Sequence, residues 1–130
     1  MNSGWTKVAA IATAHLERSG CAQAIWDSRV SNSLVTRLDA LLAQAGVRDI
    51  PDCLSGLGEV PGRGGTRGQQ SRVYRWPNAY GKWRSHFAAG AMVRDLRDQL
   101  NDRRVARSSG NCETLWTVRD VEMVLFMDGY

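Results

Sequence analysis

Cysteine is scarce in this sequence: Cys21, Cys53 and Cys112 are the only three among 130 residues. Their number is odd, their spacing is wide, and no Cys-x-x-Cys pair occurs. The pattern points to reduced thiols rather than a disulfide framework or a zinc knuckle. A tetrahedral ligand set would have to recruit His15 or His86 across long separations, so no metal is expected, and no cofactor motif is present. Long apolar runs are also missing, the longest being Val8–Ile11 and Met123–Met127, which excludes a membrane-spanning helix. The opening Met1-Asn2-Ser3-Gly4-Trp5 has neither a basic flank nor a leader-length apolar stretch, which predicts a cytoplasmic protein with no membrane partner.

Lysine is nearly absent, with two residues against fifteen arginines. Acidic residues are missing altogether from Pro61 to Arg94, where Arg63, Arg67, Arg72, Arg75, Lys82, Arg84 and Arg94 stand without a counter-charge. The rest of the chain has ten basic residues against thirteen acidic ones, so the formal charge of +4 is concentrated in this window. A one-sided window repels itself unless an anion lies nearby, and the guanidinium fork suits phosphate. One reading is a solvated basic face. The other is a footprint for a nucleic-acid backbone, favoured by the interleaved aromatics Tyr74, Trp76, Tyr80 and Trp83.

No segment alternates with period two, and no internal repeat is visible. Residues 4–18 carry Val8, Ile11, Ala12 and Leu16 near a helical stripe, with Ser3 as a cap and Gly20 as a stop. A second helix opens at the capping residue Asp27. It carries Val30, Leu34, Leu38, Leu41, Leu42 and Ala45 on one face, and Gly46 and Pro51 close it. Residues 46–76 hold two of the three prolines and many glycines, with Gly62-Arg63-Gly64-Gly65-Thr66-Arg67-Gly68 at the centre. This stretch lacks the Gly-Lys-Ser/Thr ending of a P-loop and reads as a long basic loop able to order on phosphates.

Pro77 is expected to start a third helix burying Tyr80, Trp83, Phe87, Ala91, Leu96 and Leu100, with residues 101–115 as a further loop. A last helix opens at Thr117, with Asp120 completing a capping box and Val118, Val121, Val124, Leu125 and Met127 as its apolar face. The expected fold is a single all-α domain, a small bundle of about four helices with one long Gly/Arg-rich loop. Tyr80 and Trp83 are read as core, which leaves Trp76 as the better base-stacking candidate. No strained-turn nucleophile accompanies His15 or His86, so both read as ordinary surface or packed histidines.

Lys7 in the first turn of helix one and Asp27 at the start of helix two invite a joint reading. The positive end of a helix dipole disfavours an ammonium and favours a carboxylate, so the two form a workable pair of nucleophile and fixed charge. The plainer alternative is a solvated lysine and an ordinary cap. Ser3-Gly4-Trp5-Thr6-Lys7-Val8-Ala9, followed by Ala24-Ile25-Trp26-Asp27-Ser28-Arg29-Val30, resembles the helix-hairpin-helix DNA glycosylase superfamily, closest to its 8-oxoguanine branch. The likeness covers about residues 3–35. It implies a DNA-repair activity in which Lys7 forms a Schiff base with the sugar and Asp27 steadies the developing positive charge. Imine formation would then permit lyase cleavage at the abasic site.

The resemblance also implies that amides around Gly4 and Thr6 hold a DNA phosphate. Arg29 would pair with Asp27 or reach a phosphate. Arg63, Arg67, Arg72, Arg75, Lys82 and Arg84 would line the DNA, with Trp76 stacking on a base beside the everted nucleotide. The family's hairpin begins with a helix, and its base pocket with further helices, that have no counterpart ahead of Ser3. A second protein chain would therefore complete the pocket, or the scaffold would serve a non-enzymatic role. That second role is a nucleic-acid-binding or inhibitor protein of the phage or mobile-element kind.

Overall fold

The computed structural model describes residues 3–62, 72–107 and 114–129. Arg63, Arg67 and the centre of the Gly/Arg-rich stretch lie outside them. The fold is all-α, as expected. Its helices are α1 (Ser3–Thr13), α2 (Ser28–Gln44), α3 (Trp83–Arg107) and α4 (Val118–Asp128). The chain continues from α1 into a 3-10 segment, Ala14–Ser19, and has a second short one at Asp52–Leu54. Among the described residues, the sole extended pairing is an isolated parallel bridge between Glu59 and Asn78.

The predicted helix boundaries hold where side-chain chemistry fixes them. Gly20 takes a left-handed conformation (φ 70°) and ends the 3-10 segment. The Asp27 carboxylate accepts from the amides of Arg29 (3.0 Å) and Val30 (3.1 Å) at the start of α2. Thr117 and Asp120 form a reciprocal capping box on α4. Each satisfies amides that a helix start leaves orphaned.

Helices α2 and α4 carry the core. Val30, Leu34 and Val35 from α2 meet Val118, Val121 and Leu125 from α4, with Trp26, Leu57, Trp76 and Val93 closing around them. The end of α4 approaches the start of α2 so closely that a Cβ on Gly129 would fall on the Arg29 carbonyl. Asp128 fastens the same corner, accepting from Ser33 (2.6 Å) and pairing with Arg37.

Helices α1 and α3 depart from the expected pattern in the same way. Each packs through a small and polar face and leaves large apolar residues of the expected stripe outside, although Leu96 of α3 does pack against the core as expected. Helix α3 buries Ser85, His86, Ala89, Gly90 and Val93. Tyr80, Trp83 and Phe87, expected in the core, are about half exposed. On α1 the buried residue is Thr6, while Val8 and Ile11, expected to be its inner stripe, face outward with Trp5. Small side chains allow backbones to approach closely, and that packing won over the apolar stripe. Leu41, Val124 and Met127 are likewise exposed rather than buried.

Helix α3 also starts later and runs further than expected. Residues 77–79 are drawn into the bridge, the Pro77 carbonyl accepting from Glu59 N and Ala79 N donating to the Glu59 carbonyl, both at 2.8 Å. Gly81 then turns with φ 75°, so the helix begins at Trp83. Residues 101–107, expected as loop, continue the helix. Asn101 is bonded there to both the amide (2.7 Å) and the carbonyl (3.0 Å) of Trp116.

The described parts of 46–76 contain no α-helix or strand, as expected of a long loop, but they are tightly fastened. The Ser31 hydroxyl donates to the Gly58 carbonyl (2.9 Å) and accepts from Val60 N (3.0 Å). Buried Asp39 on α2 accepts from Val73 N (2.9 Å), Tyr74 N (3.0 Å) and Trp76 Nε1 (2.9 Å). Burial pushes the Asp39 carboxyl up. Those three donors and the Arg72 charge outweigh it and hold the group below the usual carboxylate range.

Candidate functional site

Lys7 and Asp27 line the same open groove, a volume of about 740 Å³ between α1, the connecting segment 20–27 and α4. Its walls are largely apolar, built from Ala10, Ile11, Ala22, Ile25, Val118 and Phe126. Both residues of the sequence pair thus border one groove. Asp27 is buried as the cap of α2, whereas Lys7 is exposed.

Two further carboxylates belong to the groove and went unnoticed in the sequence. Glu122 on α4 is almost wholly buried. It accepts from Ile25 N at 2.8 Å and pairs with Arg119. Burial raises its carboxyl above the usual range, the Ile25 amide and Arg119 oppose that, and the nearby Asp27 charge pushes it up further. Glu17 accepts from Arg97 Nη1 (2.7 Å) and from Val118 N (2.9 Å), placing a negative charge at the N-terminal end of α4. The signal for Glu122 was available, since it lies four residues after Val118 on the face that Val118, Val121 and Leu125 bury. An acid on that face must find partners inside.

Several expected DNA contacts are engaged elsewhere. The Arg72 side chain is only 4% exposed; it pairs with Glu59 and donates to Asn32 Oδ1 at 2.6 Å. This guanidinium clamps the loop to α2 and is not a surface cation. Trp76, expected as a stacking platform, is 6% exposed with its indole N–H on Asp39. The Thr6 hydroxyl is buried, donating to the Trp26 carbonyl (3.4 Å) and accepting from Trp26 N (3.3 Å). It holds protein backbone. Gly4 sits exposed in the first turn of α1. Arg29 places its guanidinium over the Phe126 ring, 4.7 Å from the centroid.

Among the described residues, the remaining predicted cations face solvent. Arg75, Lys82 and Arg84 are exposed, Arg84 donating to Ser55 Oγ at 3.3 Å. Arg75 borders a smaller hollow of about 420 Å³ with Glu59, Pro61, Trp76, Pro77 and Asn78. Among the described residues no cluster of His, Cys, Asp and Glu is arranged to hold a metal ion. None of their helices is long and apolar enough to cross a membrane. No family model matches this chain, and neither the curated proteins nor the solved structures offer a match to it.

Proposed function

We propose that this protein acts on DNA in the manner of a helix-hairpin-helix glycosylase, removing a base through a Schiff base on Lys7. The observation that carries the reading is that Lys7 and Asp27, twenty residues apart in sequence, border one open groove with apolar walls. In this scheme an everted nucleotide enters the groove. The Lys7 amine attacks the anomeric carbon as the glycosidic bond breaks, and the base departs with the bonding electron pair. The Asp27 carboxylate, held by two amides of α2, faces the positive charge that develops on the sugar. Glu122 borders the same groove, its two oxygens held by Ile25 N and Arg119.

Borohydride trapping on duplex DNA with an abasic site tests the scheme. The expected result is a covalent adduct with the intact protein that disappears in Lys7→Ala. No adduct, or one that survives Lys7→Ala, overturns it.

A second reading, a non-catalytic nucleic-acid-binding or inhibitor protein on the same scaffold, is favoured by Thr6. Its hydroxyl is committed to Trp26 instead of facing outward at the hairpin turn. Under that reading Lys7→Ala leaves duplex binding intact, and charge reversal at Arg75 and Lys82 removes it.

A further inference from the structure

Of the aromatics that the core excludes, Tyr80, Trp83 and Phe87 fall in one short stretch around the start of α3. Trp83 and Phe87, one helical turn apart at the start of α3, are stacked with centroids 5.9 Å apart and planes 23° from parallel. The ring of buried His86 meets Trp83 edge-on at 5.8 Å and 73°. Trp83, Phe87 and the preceding Tyr80 are 49%, 54% and 51% exposed. A soluble protein rarely leaves such a group of large rings in water without a use for it.

The charge around these rings selects the partner. Lys82 and Arg84 flank Trp83 in sequence, and all three are exposed. Arg75 and Lys82 make no ion pair among the described residues. No acidic residue occurs between Pro61 and Arg94 to repel an anion. Flat π-faces with adjacent unpaired cations complement a polymer that alternates aromatic rings with phosphates. Unpaired nucleobases meet that description, whereas a duplex hides its base faces.

We infer that Tyr80, Trp83 and Phe87, flanked by Lys82 and Arg84, form a stacking platform for the unpaired bases of a single-stranded nucleic acid. The platform goes beyond the glycosylase reading, because it binds whether or not Lys7 reacts.

The test is fluorescence anisotropy with labelled oligothymidylate and oligouridylate of about 20 nucleotides, longer than the footprint of most small single-strand-binding folds. A blunt duplex of the same length is the comparison. The intact protein is expected to bind single strands more tightly than duplex. Trp83→Leu with Phe87→Leu should weaken single-strand binding by about tenfold or more, as loss of base stacking does, and leave duplex binding within about twofold. Both positions are half exposed, so the double variant should melt close to the parent. Trp83→Phe keeps a π-face and supplies an independent readout: binding persists, while the quenching of tryptophan emission by the oligonucleotide is largely lost.

Single-strand affinity unchanged in the double variant overturns the proposal. So does binding to duplex alone, or uptake by anionic phospholipid vesicles, instead of oligonucleotide, that depends on Trp83. Lys7→Ala is expected to keep full single-strand affinity, so failure of the platform and failure of the Schiff-base chemistry are read separately.

Discussion

Replacing Asp39 with alanine should cost this protein a large share of its stability. The carboxylate is 5% exposed and terminates three donors that belong to one segment, the amides of Val73 and Tyr74 and the indole of Trp76. A buried donor left without a partner costs about 1–3 kcal/mol. The two amides are only partly buried and can recover a water, so each counts at about 1 kcal/mol, with the indole nearer 2. The sum, about 3–5 kcal/mol, is a major fraction of the 5–15 kcal/mol typical of a domain. Asp39→Asn keeps the shape and one acceptor oxygen, which can still serve Tyr74 and Trp76, so its loss should be about 1–2 kcal/mol.

Urea unfolding at neutral pH measures both variants, and the denaturant slope checks that only stability has changed. The pH dependence adds a second constraint. Because the folded-state carboxyl titrates below its ordinary value, its stabilisation is complete above the unfolded pKa of about 4 and fades as pH falls below it. The gap between parent and Asp39→Ala should therefore be constant near neutrality and shrink in acid. An Asp39→Ala protein within about 1 kcal/mol of the parent at an unchanged slope would show that these hydrogen bonds do not hold the loop.

Asp27 separates its two roles by substitution. Asparagine caps a helix about as well as aspartate, so Asp27→Asn should melt close to the parent, whereas Asp27→Ala should lose about 1 kcal/mol. If the carboxylate stabilises charge on the sugar, both variants should reduce the rate of borohydride trapping by about a hundredfold or more. A normal rate in Asp27→Asn refutes that role. His86 is 1% exposed, and neither ring nitrogen has a hydrogen-bond partner among the described residues. Burial first, and the Arg94 charge second, lower its pKa. The unfolded chain therefore takes up a proton near pH 6.5 before the folded one does, and stability should fall as pH drops from about 6.5 toward the folded pKa. Glu122, shifted the opposite way, gains stability on protonation over a lower range, so the comparison must be made against His86→Leu. That variant should be near neutral at pH 8 and should show a shallower decline between about pH 6.5 and 5, measured by thermal melts. An identical decline in parent and variant rules out His86 as the source.

The readable parts of this fold are those where a single residue fixes a local geometry. Asp27, Gly20 and the Thr117–Asp120 pair each do one local job, visible without knowing what packs where. The faces of α1 and α3 were not readable by the same means. Apolar spacing in α3 marks Trp83, Phe87 and Ala91, yet the helix packs through Ser85, Ala89 and Gly90. A stripe of large residues and a stripe of small ones both have helical period, and only the shape of the partner decides between them. The misassigned tryptophans have the same origin. Trp76 falls outside any periodic pattern, but its indole N–H has a buried carboxylate to meet, and a ring with a satisfied donor can be buried outright. Arg72 shows that a basic window is not a surface property until its cations are individually placed. Lys7, expected in the first turn of α1, is its fifth residue. The rest of α1, the 3-10 segment and residues 20–27 separate it from Asp27, and the two share a groove because the chain doubles back there. Glu122, ninety-five residues further on, is brought to them only by the packing of α4 against α2.

The grip on α1 explains why the groove is open and where Lys7 stands. Thr6 holds the backbone of Trp26, and Thr13 accepts from the amide of Gln23 at 2.8 Å. These attachments are two turns apart on one side of the helix, against the connecting segment that leads into Asp27. A helix held at both points is fixed in rotation as well as position. Lys7 follows Thr6 directly, so the bonds that anchor Thr6 also set the direction in which Lys7 leaves the helix. Rolling α1 to bury Val8 and Ile11 would gain apolar burial, but it would break both threonine attachments and swing Lys7 away from the wall that carries Asp27 and Glu122. The exposed apolar stripe of α1 and the shared groove of Lys7 and Asp27 are thus consequences of one packing choice, made by the two threonines.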